Sequence, residues 1–128
     1  MRKRMLHTCV RVKDLDKSLD FYKDVLGMKE VRRLDYPEYK FTLVYLALPG
    51  DEVELELTYN YDQEEPYDLG NGYGHIAIGV ENLKDTHEEF SQSGQDVTEL
   101  TELSDGAASY FFIKDPDGYK IEIIQLKD

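Results

Sequence analysis

His7, Val12, Leu15 and Tyr22 recur as His75, Val80, Leu83 and Phe90 at one spacing of 68 residues. Further on, Glu54-Leu55-Glu56-Leu57 recurs as Lys120-Ile121-Glu122-Ile123 at a spacing of 66. A two-residue difference in the stretch between these landmarks accounts for the change. Such a duplication constrains the fold more than composition does, because one copy is too small to bury its own hydrophobic face and two copies can share a core. The expectation is one domain over residues 1–128, made of two repeats at about 5–60 and 73–126.

Each repeat reads as strand, helix and three strands. "LHTCVRV" (6–12) has strand composition, and "DLDKSLDFYKDVLG" (14–27) opens on acidic residues, carries Leu19, Tyr22 and Leu26 at helical spacing and stops at Gly27. "KEVRRLDY", "KFTLVYLAL" and "EVELELTY" follow as strands, separated by "PEY" and "PGD". After the polar loop "NYDQEEPYDLGNGYG" the order returns: strand "HIAIGV", helix "NLKDTHEEFSQSG", then strands "QDVTEL", "ASYFFI" and "YKIEIIQL". The fold class is therefore α+β, two βαβββ modules.

Charge narrows the partners. A net charge of −12 repels phosphate backbones and anionic lipid, which disfavours a nucleic-acid or membrane role. A single cysteine, Cys9, cannot form an internal disulfide, and no apolar run approaches the roughly 20 residues that span a bilayer. The basic "MRKRM" start leads into a strand and not into an apolar signal core. A soluble, cytoplasmic protein is expected.

Strand alternation puts His7, Cys9 and Arg11 on one face of the first strand, and Glu54, Glu56, Thr58 and Asn60 together on another strand opposite Val53, Leu55, Leu57 and Tyr59. In the second repeat His75, Ala77 and Gly79 share a face, and Glu122 opposes Ile121 and Ile123. Taken singly, each His or Glu has a plain explanation as a solvated or hydrogen-bonded edge residue. Their recurrence at equivalent places, 49 residues apart in one copy and 47 in the other, is what points to chemistry. If the copies are related by approximate two-fold symmetry, His7, Glu56, His75 and Glu122 can meet at one point as a metal site. Two imidazoles and two carboxylates suit an octahedral divalent ion such as Ni²⁺, Co²⁺, Mn²⁺ or Fe²⁺ with two open positions, whereas structural zinc more often takes cysteine. His87, among charges in "DTHEEF", and Cys9, with no base beside it in sequence, carry no comparable signal.

"HTCVRVKDLDKSLDFYKDVLGMK", "PEYKFTL", "ELTYN", "YGHIAI" and "DPDGYKIEII" together resemble the glyoxalase I (lactoylglutathione lyase) family of the vicinal-oxygen-chelate superfamily, over nearly the whole chain. The resemblance implies paired βαβββ modules forming a cup-shaped mixed sheet, with His7, Glu56, His75 and Glu122 as metal ligands. It implies a homodimer in which His7 and Glu56 come from one chain and His75 and Glu122 from the other. Histidine at position 7 and the compact length resemble the bacterial Ni²⁺- and Co²⁺-activated branch more than the Zn²⁺ branch. The implied reaction is isomerisation of the methylglyoxal–glutathione hemithioacetal to S-lactoylglutathione, which moves a proton between adjacent carbons through a cis-enediolate. Glu122 is implied as the principal base, with Glu56 serving from the opposite side. Arg11 and Asn60 match family positions that hold the γ-glutamyl part of glutathione. Where many relatives place a lysine near the glycyl carboxylate, "LSDGAAS" places Asp105, an anion that repels a carboxylate.

Two other readings share parts of the pattern. One is another enzyme of the superfamily, a thiol transferase or a ring-cleaving dioxygenase; the latter uses two histidines and one carboxylate and would leave one glutamate idle. The other is a metal-free drug-binding protein of the same fold, a class that usually lacks the four ligands.

Overall fold

The computed structural model describes residues 1–102 and 109–127. The chain divides into two compact units, Met1–Asp68 and Leu69–Asp128. Each carries one four-stranded mixed sheet. No helix among the described residues is long and apolar enough to cross a membrane.

In the first unit β1 (His7–Val12) leads into α1 (Leu15–Leu19), which continues as a π-helical segment (Asp20–Val25). Asp14 starts the helix by accepting the Lys17 N–H at 3.1 Å, a side-chain cap for one of the turn's unpaired donors. The wider π winding departs from the regular spacing of Leu19, Tyr22 and Leu26, and it leaves the adjacent Phe21 and Tyr22 both buried, their rings edge to face at 5.0 Å. Gly27, at φ +79°, ends the segment in the left-handed conformation that lacks a Cβ penalty.

Then come β2 (Lys29–Tyr36), a 3₁₀ turn (Pro37–Tyr39), β3 (Phe41–Ala47) and β4 (Glu54–Asn60). Their order in the sheet is β1-β4-β3-β2, with β1 parallel to β4 and the other pairs antiparallel. Val10, Val12, Val44, Leu46, Leu55 and Leu57 are buried together with Leu19, Phe21 and Tyr22. Leu6, expected within the first strand, and Val53, expected opposite Glu54 and Glu56, lie just outside their strands and are exposed.

The second unit repeats this plan with β5 (Ile76–Val80), α2 (Leu83–Gln92), β6 (Thr101–Glu102), β7 (Ser109–Lys114) and β8 (Lys120–Gln125), in sheet order β5-β8-β7-β6. Asn82 caps α2 through the Asp85 N–H at 3.0 Å. Ile78, Leu83, Phe90, Phe111, Ile113, Tyr119, Ile121 and Ile123 form the buried apolar set among the described residues. The "DPDG" stretch is the β7–β8 hairpin turn, where Asp115 Oδ1 accepts the N–H groups of Asp117 and Tyr119 and Gly118 stands at φ +94°.

One expected strand is displaced. Residues 95–100 make only an isolated bridge, Val97 to Ile113, and the paired edge strand is the two-residue β6. Thr98 is the reason: its side-chain hydroxyl, at 2.9 Å, takes the Phe112 N–H, while its carbonyl faces His87 Nε2 at 2.8 Å. Side-chain and imidazole partners replace ladder partners there. His87 thus has a structural part, its ring also lying edge-on to Phe111 at 4.8 Å.

Candidate functional site

Parallel pairing of β1 with β4 sets Cys9 beside Glu56 and His7 one step along, beside Glu54. His7 and Glu56 therefore sit diagonally on one face, and their side chains meet with Nε2 3.4 Å from Oε1. In the second unit β5 pairs with β8 in the same sense, Ala77 lies beside Glu122, and His75 immediately precedes the strand. His75 Nε2 is 3.3 Å from Glu122 Oε1. The same strand pairing thus builds the same pair of donors twice.

Two donors held about 2.1 Å from one ion at right angles lie roughly 3.0 Å apart, so separations of 3.4 and 3.3 Å are close to what neighbouring ligands adopt. Each half offers one imidazole nitrogen and one carboxylate oxygen. Among the described residues no group of three or more His, Cys, Asp or Glu side chains gathers to hold a metal. Each half thus presents one imidazole–carboxylate pair among the described residues.

The surroundings of the two carboxylates differ. Glu56 is only 8 % exposed, and a buried carboxylate without partners would cost several kcal/mol. Tyr45, its neighbour across β3, donates to Oε1 at 2.7 Å, and Thr58 donates to Oε2 at 2.8 Å. Burial alone would raise the Glu56 carboxyl, but hydrogen bonds from Tyr45, Cys9 and Thr58 and the nearby His7 hold it below the ordinary carboxylate value. The same bond to Glu56, aided by burial, pushes the Tyr45 phenol up to about 12. Arg32 lies over the Tyr45 ring at 3.9 Å and forks onto Glu54 at 3.0 and 2.9 Å, which braces the phenol from its outer side. Glu122 has Phe112 and Ala77 across from it, and the His75 contact is its partner among the described residues.

Arg11 projects from β1 on the face of His7 and pairs in register with Thr58. Asn60 ends β4 and donates from Nδ2 to the Tyr67 hydroxyl at 3.0 Å. Four residues of strand, roughly 13 Å, separate Asn60 from Glu56. At the place of Arg11 the second unit has Gly79, and a side chain there would collide with Leu126. The charged face thus has an apolar counterpart. Asp105 lies outside the described residues. Tyr45 and Tyr67 were not singled out from the sequence, and Thr58 was placed on the Glu56 face without a role; the signal for Tyr45 was its cross-strand register with Glu56, which the strand pattern alone does not fix.

The chain matches the Glyoxalase/Bleomycin resistance protein/Dioxygenase superfamily over residues 4–123. It is 52% identical to lactoylglutathione lyase of Neisseria meningitidis over 97% of this chain and 91% of that protein. With lactoylglutathione lyase of Salmonella typhimurium it shares 47% identity over 98% of this chain and 94% of the relative. The chain belongs to the lactoylglutathione lyase, or glyoxalase I, family. Among solved structures, the trypanothione-dependent glyoxalase I of Leishmania major aligns at a TM-score of 0.83 and 42% identity, covering 97% of this chain and 87% of that one. Glyoxalase I of Zea mays aligns at a TM-score of 0.88 and 39% identity over 98% of this chain but only 45% of the maize chain. The maize glyoxalase I chain is thus about twice as long as this one.

Proposed function

We propose that this glyoxalase I family member isomerises the hemithioacetal of methylglyoxal and glutathione to S-lactoylglutathione, and that His7, Glu56, His75 and Glu122 are the ligands of a divalent ion, Ni²⁺ or Co²⁺ in preference to Zn²⁺. The observation that carries the ligand set is the pair of matching His–Glu contacts, 3.4 and 3.3 Å, at equivalent places in the two repeats. Two nitrogens and two oxygens form a borderline-to-hard donor set that would suit a first-row divalent ion and leave it open to substrate or water. When bound, the ion acts as a Lewis acid that stabilises negative charge developing on neighbouring substrate oxygens. The two repeats serve as one functional domain, 1–128. The site is completed in a homodimer, with His7 and Glu56 from one chain and His75 and Glu122 from the other. The roughly doubled length of the maize chain accords with that assembly.

The side chains divide the work. Glu122 takes a proton from one substrate carbon and returns it to the next, and Glu56 faces the substrate from the other side. Arg11 and Asn60 hold the γ-glutamyl end, Arg11 through its fixed positive charge and Asn60 through its amide, with Tyr67 setting the direction of that amide. The test is direct. Metal-stripped protein is supplied with Ni²⁺, Co²⁺ or Zn²⁺ and assayed for S-lactoylglutathione formation, with its mass in solution measured in parallel. Dimers most active with Ni²⁺ or Co²⁺ are expected, and highest activity with Zn²⁺ removes the metal assignment. Substituting other low-molecular-weight thiols in the same assay reads the thiol preference; activity with one of these but not with glutathione keeps the isomerisation and replaces the substrate.

A further inference from the structure

Tyr45 on β3, Cys9 on β1 and Thr58 two residues along β4 surround Glu56. The strands of the second unit offer the same three places around Glu122, and there the register and the repeat put Phe112, Ala77 and Ile124. The ring beside the histidine is common to both: His7 lies edge-on to Tyr45 at 5.4 Å and His75 edge-on to Phe112 at 5.5 Å. What differs is the hydroxyl. Tyr45 and Thr58 each engage a separate oxygen of Glu56, at 2.7 and 2.8 Å, so turning that carboxylate breaks two charge-assisted hydrogen bonds at once. Phenylalanine and isoleucine have no donor to offer Glu122. The aim of the Tyr45 hydroxyl is itself built, since Arg32 covers the ring at 3.9 Å while anchored on Glu54.

Resting on the reading of the four residues as metal ligands, we propose that Tyr45 and Thr58 are positioning residues that hold Glu56 in one orientation, and that this pair of hydroxyls, replaced by Phe112 and Ile124 beside Glu122, is what separates the roles of the two carboxylates. The duplication supplies two equivalent carboxylates, and one clamp of two hydroxyls divides them into a ligand and a base.

The experiment uses the full chain. Tyr45→Phe and Thr58→Val are compared with the parent for Ni²⁺ affinity, by competition with a chelator, and for kcat and KM. Each variant is expected to bind Ni²⁺ about 10–100-fold more weakly, the usual effect of removing a ligand's supporting hydrogen bond, with KM for the hemithioacetal little altered. Equal Ni²⁺ affinity in parent and both variants overturns the positioning role. A second arm rebuilds the clamp around Glu122 with Phe112→Tyr/Ile124→Thr, or Phe112→Tyr alone where the pair does not fold. Retained Ni²⁺ binding with kcat lowered about tenfold or more is expected, and an unchanged kcat overturns the role of the hydroxyl pair in separating the two carboxylates. A parent protein that binds no Ni²⁺ strikes the ligand reading itself, which keeps the two failures distinct.

Discussion

The half carrying Glu56 and the half carrying Glu122 have the same strand order, the same parallel pairing of first and last strands, and His–Glu contacts that agree within 0.1 Å. Around that frame their side chains diverge. The first half has Tyr45, Thr58 and Arg11, and the second has Phe112, Ile124 and Gly79 at the corresponding places. Backbone pairing sets where each His–Glu pair stands, and neighbours on adjacent strands set how tightly its carboxylate is held. A duplicated fold can therefore keep its donors while specialising each copy through the residues beside them.

Removing one histidine from either half is the strongest way to test whether the two halves serve one ion. His7→Ala and His75→Ala should each weaken Ni²⁺ binding by more than the about 10–100-fold that a supporting residue costs, and excess Ni²⁺ should restore part of the activity. Chelator competition reads this, and a loss confined to one variant breaks the equivalence. Glu122→Gln comes next: an amide oxygen still ligates but is a poor base, so kcat should fall about 10²-fold or more with Ni²⁺ retained. Near-parental turnover with the ion bound removes Glu122 as the base.

Two tyrosines sharpen the contrast by a different route. Both Tyr45 and Tyr73 are pushed up to about 12, Tyr45 first by its hydrogen bond to Glu56 and Tyr73 first by burial. Glu56→Gln in the metal-free protein should bring the Tyr45 transition down toward the ordinary value near 10 and leave that of Tyr73 in place, as read by tyrosinate absorbance. A raised tyrosine favours its neutral form in the folded state, so this stabilisation is complete below about 10 and fades as the pH rises through the folded value near 12.

The smallest expected effect is at Glu30, whose carboxyl is held below its ordinary value by Arg33 at 2.9 Å, against a partial burial that raises it, with Lys23 at 3.1 Å adding to the lowering. A lowered carboxylate contributes stability above its unfolded value and loses it as the pH falls through the folded one. Glu30→Gln should cost at most about 1 kcal/mol at neutral pH, since such surface pairs are screened, and that cost should vanish in acid. A urea titration at two pH values measures it, and a pH-independent cost removes the ion-pair explanation.

Much of the frame was legible because burial alternates along strands. The repeat, the order of elements, and the placement of His7, Glu56, His75 and Glu122 on polar faces all follow from residue spacing. Less legible were features that depend on partners far along the chain. The strand expected at 95–100 has suitable alternation, but Thr98 gives its hydroxyl to Phe112 and its carbonyl to His87, so the ladder shifts to Thr101–Glu102. The π winding at Asp20–Val25 leaves no mark in the positions of Leu19, Tyr22 and Leu26. Tyr45 reads as one more core aromatic until the β3–β4 register sets it against Glu56.

The parallel pairing of β1 with β4 has a further consequence, in the order of events as the chain folds. His7 and Glu56 belong to the first and last strands of their unit, so they meet only when a loop of about fifty residues has closed, one of the slower kinds of contact to form. The hairpins between them are local and can form earlier. The His7–Glu56 contact therefore arrives late in assembly, and a chain that has collapsed without registering β1 on β4 has both residues but not their meeting.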